Sequence, residues 1–284
     1  MVTCTALRAP HGDYGLTAVL AGSLGARCVA VSEEWMMWEA ATYTGDITAV
    51  AHDRVAVLPT GSTEFHGPHG YLGVDSLIAD DLARRVAGSL EGVLLPRVDY
   101  TWCPAPTRGY PGTISVPQDV MQAYLTAILE GVLAWGVRGV LVLCAHDGNL
   151  GPVTVAADRA RERFSRQFIV AVNWWETWSA EEASARFGFT EQGGHGHGGP
   201  LEMSAAWAVH PQGSDPRAAA DISLAGQRDH APLRVLRRGA PEPRWAGYHG
   251  RVSESSRAAG EVLLAEAAQR IVAALHSSMV EPAT

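Results

Sequence analysis

The sequence has little that would staple a small secreted scaffold, anchor a membrane protein or hold a nucleic acid. Its 284 residues include four cysteines, Cys4, Cys28, Cys103 and Cys144. They stand far apart and form no C-x-x-C pair, so neither a disulfide framework nor a structural zinc ribbon is indicated, and a reducing cytoplasm is the expected location. No basic run exceeds a pair, and 22 basic against 30 acidic residues leave a net charge of -8. That balance argues against a nucleic acid or an anionic membrane as partner and favours a small-molecule substrate. Long apolar runs are also missing. Leu16 to Val31 is interrupted by Gly22, Gly25 and Arg27 and lacks a basic start, so it is too broken to span a bilayer. There is no internal repeat, low-complexity tract or linker. Residues 32–284 read as one domain, and residues 1–31 as an N-terminal extension.

What is present is an alternation of strand-like and helix-like segments. Val55 to Leu58, Val93 to Leu95, Gly139 to Cys144 and Phe168 to Val172 are short apolar runs without polar alternation, as suits strands covered on both faces. Between them, Ser76 to Leu90, Val120 to Trp135 and Leu150 to Phe164 carry apolar residues at helical spacing. Pro200 to Val209 reads as a short helix with proline at its start, Pro211 to Pro243 as irregular, and Ala258 to Leu275 as an amphipathic helix. This order predicts an α/β fold with a mostly parallel sheet between helices and a ligand site at the carboxyl ends of the strands.

The chemistry-bearing residues fall at those strand ends. GSTEFHGPHGYLGVDSLIAD, Gly61 to Asp80, places Glu64 and His66 two apart, on one side of an extended segment, and Asp75 nine residues after His66. Taken alone, Asp75 reads as the N-cap of the following helix, and His66 and His69 as loop histidines. Together, among glycines that let backbone and ligand approach closely, they become candidate metal ligands. CAHDGN, Cys144 to Asn149, adds His146 just beyond a strand, with Asp147 either capping the next helix or supporting a ligand and Cys144 a buried apolar residue. GGHGHGGPLEMS, Gly193 to Ser204, brings His195, His197 and Glu202. That stretch is either a glycine-rich loop tip or a mobile catalytic segment, with Glu202 partly buried among apolar neighbours.

These blocks resemble the creatininase family of metal-dependent amidohydrolases, over about Trp38 to Leu275. LPTGSTEFHGPHGYLGVD resembles its Gly-Ser-x-Glu-x-His-Gly-Pro-His block and following Asp, and YPGTISV, Tyr110 to Val116, its Pro-Gly-Thr segment. AHDGN resembles its Gly-His-x-x-Asn block, HGGPLEMS its His-x-Gly-x-x-Glu-Thr-Ser block, and GYHGRVSESSRAAGE, Gly247 to Glu261, its tail. The resemblance implies a three-layer α/β/α sandwich, a homo-oligomer, often a hexamer, and two divalent metal ions per subunit. Carried over residue by residue, Glu64, Asp75 and His146 would hold one ion, and His66, the bridging Asp75 and an acidic residue the other. Creatininase itself has a ligand Glu two positions after the histidine matched by His146. Gly148 stands there in this chain, which leaves Glu202 as the candidate carboxylate. His197 matches the family's catalytic histidine. Trp174, Trp175 and Trp178 follow the fourth strand where relatives also carry aromatics. Core packing is their default role, and a substrate-pocket wall or lid the alternative.

Such an oxygen and nitrogen donor set suits Zn²⁺, Mn²⁺ or Fe²⁺. The expected reaction is hydrolysis of a C–N amide bond in a small or cyclic amide by a metal-bridging hydroxide, with His197 moving a proton to the leaving nitrogen. The same ions could instead serve carbon–carbon ring hydrolysis or a ring-closing condensation, and a non-catalytic binding subunit is the third reading. Phe65, Cys144, Ala145 and Met203 depart from the residues frequent in the family and put creatinine itself in doubt.

Overall fold

The computed structural model describes residues 38–41, 43–223 and 245–279. The proposed extension at 1–31 and the stretch Leu16 to Val31 lie outside them. Five strands form one parallel sheet: β1 Trp38–Glu39, β2 Val55–Thr60, β3 Val93–Leu94, β4 Gly139–Cys144 and β5 Phe168–Asn173, in the order β1-β3-β2-β4-β5. The helices are α1 Ile47–Ala51, α2 Val74–Ser89, α3 Ala105–Arg108, α4 Gln118–Leu133, α5 Leu150–Arg161, α6 Ala180–Phe187, α7 Pro200–Val209 and α8 Arg257–Met279.

Period-two alternation explains the layers. Along β2, Val55 and Val57 enter one buried cluster with side chains of α2, α7 and α8, whereas Ala56 and Leu58 enter a second with α4 and α5. Along β4, Leu141 and Leu143 join the first cluster, and Val140 and Val142 the second. Both faces of the central strands are therefore dry, and the result is the expected three-layer α/β/α sandwich. At the margin of the sheet β5 is only half-buried over most of its length, and Ala171 is exposed, so this run is not covered on both faces as its apolar character suggests.

Strand order fixes where a ligand can enter. The chain leaves β2 for β3 on one side and then crosses to β4 on the other. The loops leaving β2 and β4 therefore diverge, and this topological switch opens a crevice at the carboxyl ends of the two strands. Gly61, directly after β2, lies so close to α2 that a Cβ would come within 2.4 Å of the Ser76 backbone. Its lack of a side chain lets the first turn of α2 sit beside the strand end.

That close approach corrects the N-cap reading of Asp75. The helix begins two residues earlier than Ser76, at Val74, with Gly73 at the cap and no side-chain cap bond. Asp75 occupies the first turn, a position suited to a negative charge. Its carboxylate turns into the crevice, where Oδ2 accepts from Ser62 Oγ at 2.7 Å.

Candidate metal centre

Three loops and two helix starts converge on the crevice. Glu64 and His66 come from the segment after β2, Asp75 from α2, His146 from the end of β4, His197 from the loop before α7, and Glu202 from its first turn. Glu64, His66 and Asp75 are each 1% exposed, His146 5%. His66 Nε2 lies 2.9 Å from Asp75 Oδ1 and 3.6 Å from Glu202 Oε2. His146 Nδ1 lies 3.0 Å from Glu64 Oε2 and 3.1 Å from Asp75 Oδ2. His197 Nδ1 is 3.8 Å from Glu64 Oε2. The five carboxylate and imidazole side chains singled out as ligands thus meet, with His197 beside them.

Each of these rings is oriented through its other nitrogen. His66 Nδ1 faces the Glu64 carbonyl at 3.0 Å, His146 Nε2 the Trp102 carbonyl at 3.2 Å, and His197 Nε2 the Phe65 carbonyl at 2.7 Å. A carbonyl only accepts, so these nitrogens carry the N–H. The opposite nitrogen of a neutral ring then aims a lone pair at carboxylates, which are acceptors themselves. Acceptor facing acceptor in a buried crevice calls for a positive charge between them, either a metal cation or the second proton that makes a ring imidazolium. Glu64 Oε2, His66 Nε2 and Asp75 Oδ1 accordingly have no hydrogen-bond partner despite their near neighbours. Imidazole nitrogens and carboxylate oxygens bound to one ion at about 2.0–2.2 Å stand roughly 3 Å apart, the spacing found here.

Electrostatics give the same answer. Without ions, three buried carboxylates would have to be balanced by protons. Burial alone would depress His66, yet Asp75 and Glu202 push it up to about 10. His146 is raised well above its ordinary value by Glu64 and Asp75 against the same desolvation. Burial pushes Glu202 up to about 7, aided by Asp75 and opposed by His66. Asp75, despite burial, is held well below the usual carboxylate range by His66 and His146. His197 behaves oppositely: burial and the neighbouring His66 push it down to about 4, which leaves a neutral base at pH 7.

Other polar groups support this arrangement. Thr101 Oγ1 and Asn149 Nδ2 both donate to the Gly61 carbonyl, at 2.8 and 2.9 Å. Glu202 Oε2 accepts from the Gly198 N–H at 2.6 Å. At Gly148 a Cβ would come within 2.5 Å of the Trp102 carbonyl and 2.6 Å of His146 Nε2, so no carboxylate side chain fits there without displacing the imidazole. Asp147 is exposed.

His69 and His195 stand outside the clusters of ligand atoms among the described residues. His69 Nε2 faces the Gly198 carbonyl, and the His195 nitrogens face the Gln192, Trp175 and Trp178 carbonyls. The pocket-wall alternative for the three tryptophans needs correction. Trp174 and Trp178 are buried in the cluster beneath α8, and Trp175 packs against it. They lie there because the short 3-10 turn Trp174–Thr177 carries the chain under α8, where Arg270 lies over the Trp178 ring at 4.0 Å. The aromatics at the crevice are others. Phe65 stacks on Tyr110 at 4.8 Å, Tyr110 meets Trp245 edge-on at 6.1 Å, and Trp245 lies 5.5 Å from His197. Tyr110 belongs to the Tyr-Pro-Gly-Thr block, and Thr113 of that block accepts from the Phe65 N–H at 3.0 Å. Cys103 is a further residue that spacing did not reveal, because it is brought in by a loop that carries no histidine.

Comparison with known proteins identifies the family and the fold. The chain is 35% identical to the mycofactocin precursor peptide peptidase of Mycobacterium tuberculosis over 114 residues, 37% of this chain and 45% of that protein. It is 26% identical to the 3-dehydro-scyllo-inosose hydrolase of Thermotoga maritima over 162 residues, 55% of this chain and 50% of the relative. It thus spans about half the length of these curated relatives. With the creatinine amidohydrolase of Pseudomonas putida it shares 24% identity over 62% of this chain and 70% of the other. A crystal structure of creatinine amidohydrolase superposes with a TM-score of 0.72 at 23% identity, covering 86% of this chain and 98% of that one, and a creatininase Mn structure with 0.74 at 22% identity, covering 86% and 99%. The family model for creatinine amidohydrolase matches residues 40–275, and the chain belongs to the creatininase family.

Proposed function

We propose that this protein is a dinuclear-metal-dependent hydrolase that cleaves the C–N bond of a small or cyclic amide. The observation that carries the reading is the convergence of Glu64, His66, Asp75, His146 and Glu202 in one crevice, where Glu64 Oε2, His66 Nε2 and Asp75 Oδ1 are buried with no hydrogen bond to satisfy them. Glu64, Asp75 and His146 would hold one divalent ion and His66, Asp75 and Glu202 the second. Asp75 directs Oδ2 toward His146 and Oδ1 toward His66, as a bridging carboxylate requires. Ions of this kind polarise a carbonyl and bring the pKa of water to near neutrality. Zn²⁺, Mn²⁺ and Fe²⁺ all suit the donors, and relatives of known structure include a Zn-Zn type of mutant creatininase and a creatininase Mn.

The chain's own residues do the remaining work. His197, neutral and fixed by Phe65 O, presents Nδ1 to the crevice beside Glu64. It can take a proton from the attacking water and deliver it to the departing nitrogen. Phe65, Tyr110 and Trp245 form an apolar flank that would hold a flat or ring-shaped amide and exclude bulk water. No lysine occurs in the sequence, so no lysine Schiff base contributes. The mycofactocin precursor peptide peptidase also acts, by its name, on an amide class of substrate. Among the described residues no helix is long and apolar enough to cross a membrane. A homo-oligomer acting on a small molecule in the cytoplasm completes the proposal, with residues 32–284 as its single domain.

The test is turnover of a panel of lactams, imidazolones, linear amides and cyclic polyol ketones by metal-loaded and metal-free protein, with metal content from elemental analysis and products by mass. Amide cleavage that adds one water and stops on chelation is expected. Full turnover by verified metal-free protein refutes it. Attack confined to a carbon–carbon bond, or loss of water, would move the assignment to ring hydrolysis or condensation. Metal below one ion per chain with no activity would indicate a binding subunit.

A further inference from the structure

Cys103 lies completely buried against this site. Its Sγ, a Glu64 carboxylate oxygen and a His146 ring nitrogen all fall within 4.8 Å of one another. We propose that Cys103 supplies a sulfur donor to the ion held by Glu64, Asp75 and His146. This inference rests on the reading of the crevice as a metal centre.

Two observations besides proximity support it. Glu64 Oε2, 1% exposed as a residue and aimed at the same cluster, has no hydrogen-bond partner. The backbone around the thiol is also clamped. The Cys103 N–H donates to Ser115 Oγ at 3.0 Å, and its carbonyl accepts from Ser115 Oγ at 3.1 Å and from Arg108 Nε and Nη2 at 3.3 and 3.0 Å. The preceding carbonyl, of Trp102, is the one that orients His146. One short stretch thus orients the imidazole and presents the sulfur. The thiol's own protein acceptor is the Ile114 carbonyl at 3.8 Å, a weak contact that leaves the sulfur available. Cys144, equally buried, differs: it joins none of the ligand clusters among the described residues, and burial pushes its thiol up to about 11.

The chemical consequence is an unequal pair of positions. His66, Asp75 and Glu202 offer only nitrogen and oxygen, whereas the Glu64, Asp75 and His146 position gains a soft donor. Sulfur favours Zn²⁺ or Co²⁺ over Mn²⁺ or Mg²⁺. The metal–sulfur bond would form as the S–H bond breaks and its proton passes to solvent.

Co²⁺ added to the metal-free full-length protein tests this directly. A near-ultraviolet sulfur-to-cobalt charge-transfer band should appear, disappear in Cys103→Ser and persist in Cys144→Ser. The preference of this position for Zn²⁺ over Mn²⁺ should fall by at least about tenfold in Cys103→Ser. X-ray absorption of the zinc-loaded native protein needs no variant and should show a sulfur scatterer at about 2.3 Å. Cobalt bound without the band, a band unchanged in Cys103→Ser, or zinc surrounded only by nitrogen and oxygen overturns the sulfur donor while leaving the metal centre intact. Absence of cobalt and zinc binding overturns both.

Discussion

His66 Nε2 approaches Asp75 Oδ1 to 2.9 Å, yet neither atom makes a hydrogen bond. The pair is spaced as two donors to one ion. Asp75 also faces His146 at 3.1 Å, so its two oxygens address both imidazoles. Asp75→Asn keeps the size of the side chain but removes its charge. Metal content should fall from about two ions per chain to one or none, and turnover by about a thousandfold or more. Elemental analysis beside a circular-dichroism spectrum checks this. A folded Asp75→Asn protein with full metal content contradicts the bridging role.

The pH dependence of stability should invert with metal. In the metal-free protein, His66 at about 10 and the raised His146 contribute stability that is complete below an unfolded pKa of about 6.5 and lost as pH climbs through their folded values. Glu202, raised to about 7, also loses its contribution upward, from about 4.3. Asp75 works the other way, losing its share as pH drops below about 3.9. His197, lowered to about 4, costs stability as pH falls from about 6.5. Metal-free protein should therefore melt at progressively lower temperature above about pH 7. Bound Zn²⁺ needs deprotonated imidazoles, so the gap between loaded and metal-free melting temperatures should widen with pH. Melting curves from pH 6 to 9 decide it, and a gap that narrows would count against the metal centre.

His197→Gln should leave metal content unchanged and reduce kcat by about a hundredfold to ten-thousandfold, the usual contribution of a placed proton carrier. The ring's distance from Glu64, 3.8 Å, is longer than the other contacts in the cluster. Steady-state kinetics on metal-matched protein check this. Loss of metal in the variant would make His197 a ligand instead.

Gly148→Glu restores the residue that creatininase carries, yet here it should damage the site. The new Cβ would meet His146 Nε2 and the Trp102 carbonyl, so the imidazole must turn away from Glu64 and Asp75. A loss of stability of about 1–3 kcal/mol and of one bound ion is expected. Retained metal with improved activity would show that the loop yields more readily than its contacts suggest.

Much of this architecture was readable in the residues. Buried parallel strands announce themselves as unbroken apolar runs, and β2 and β4 begin where the sequence places them. Helix α2 begins two residues early, because Gly73 rather than Asp75 occupies its cap. The candidate ligands Glu64, His66, Asp75, His146 and Glu202 could be singled out because they lie in short polar blocks at strand and helix ends. Cys103 and Trp245 were not, since their place depends on long-range folding that no local period encodes. The three tryptophans take their default role of core packing; the sequence left a pocket wall open because a local aromatic run looks alike whether it faces a cavity or α8.

The backbone carbonyls that hold His66, His146 and His197 belong to Glu64, Trp102 and Phe65. Main-chain atoms survive any side-chain replacement that preserves their path. Drift in the surrounding surface can therefore recast what the mouth admits while the imidazoles keep their aim.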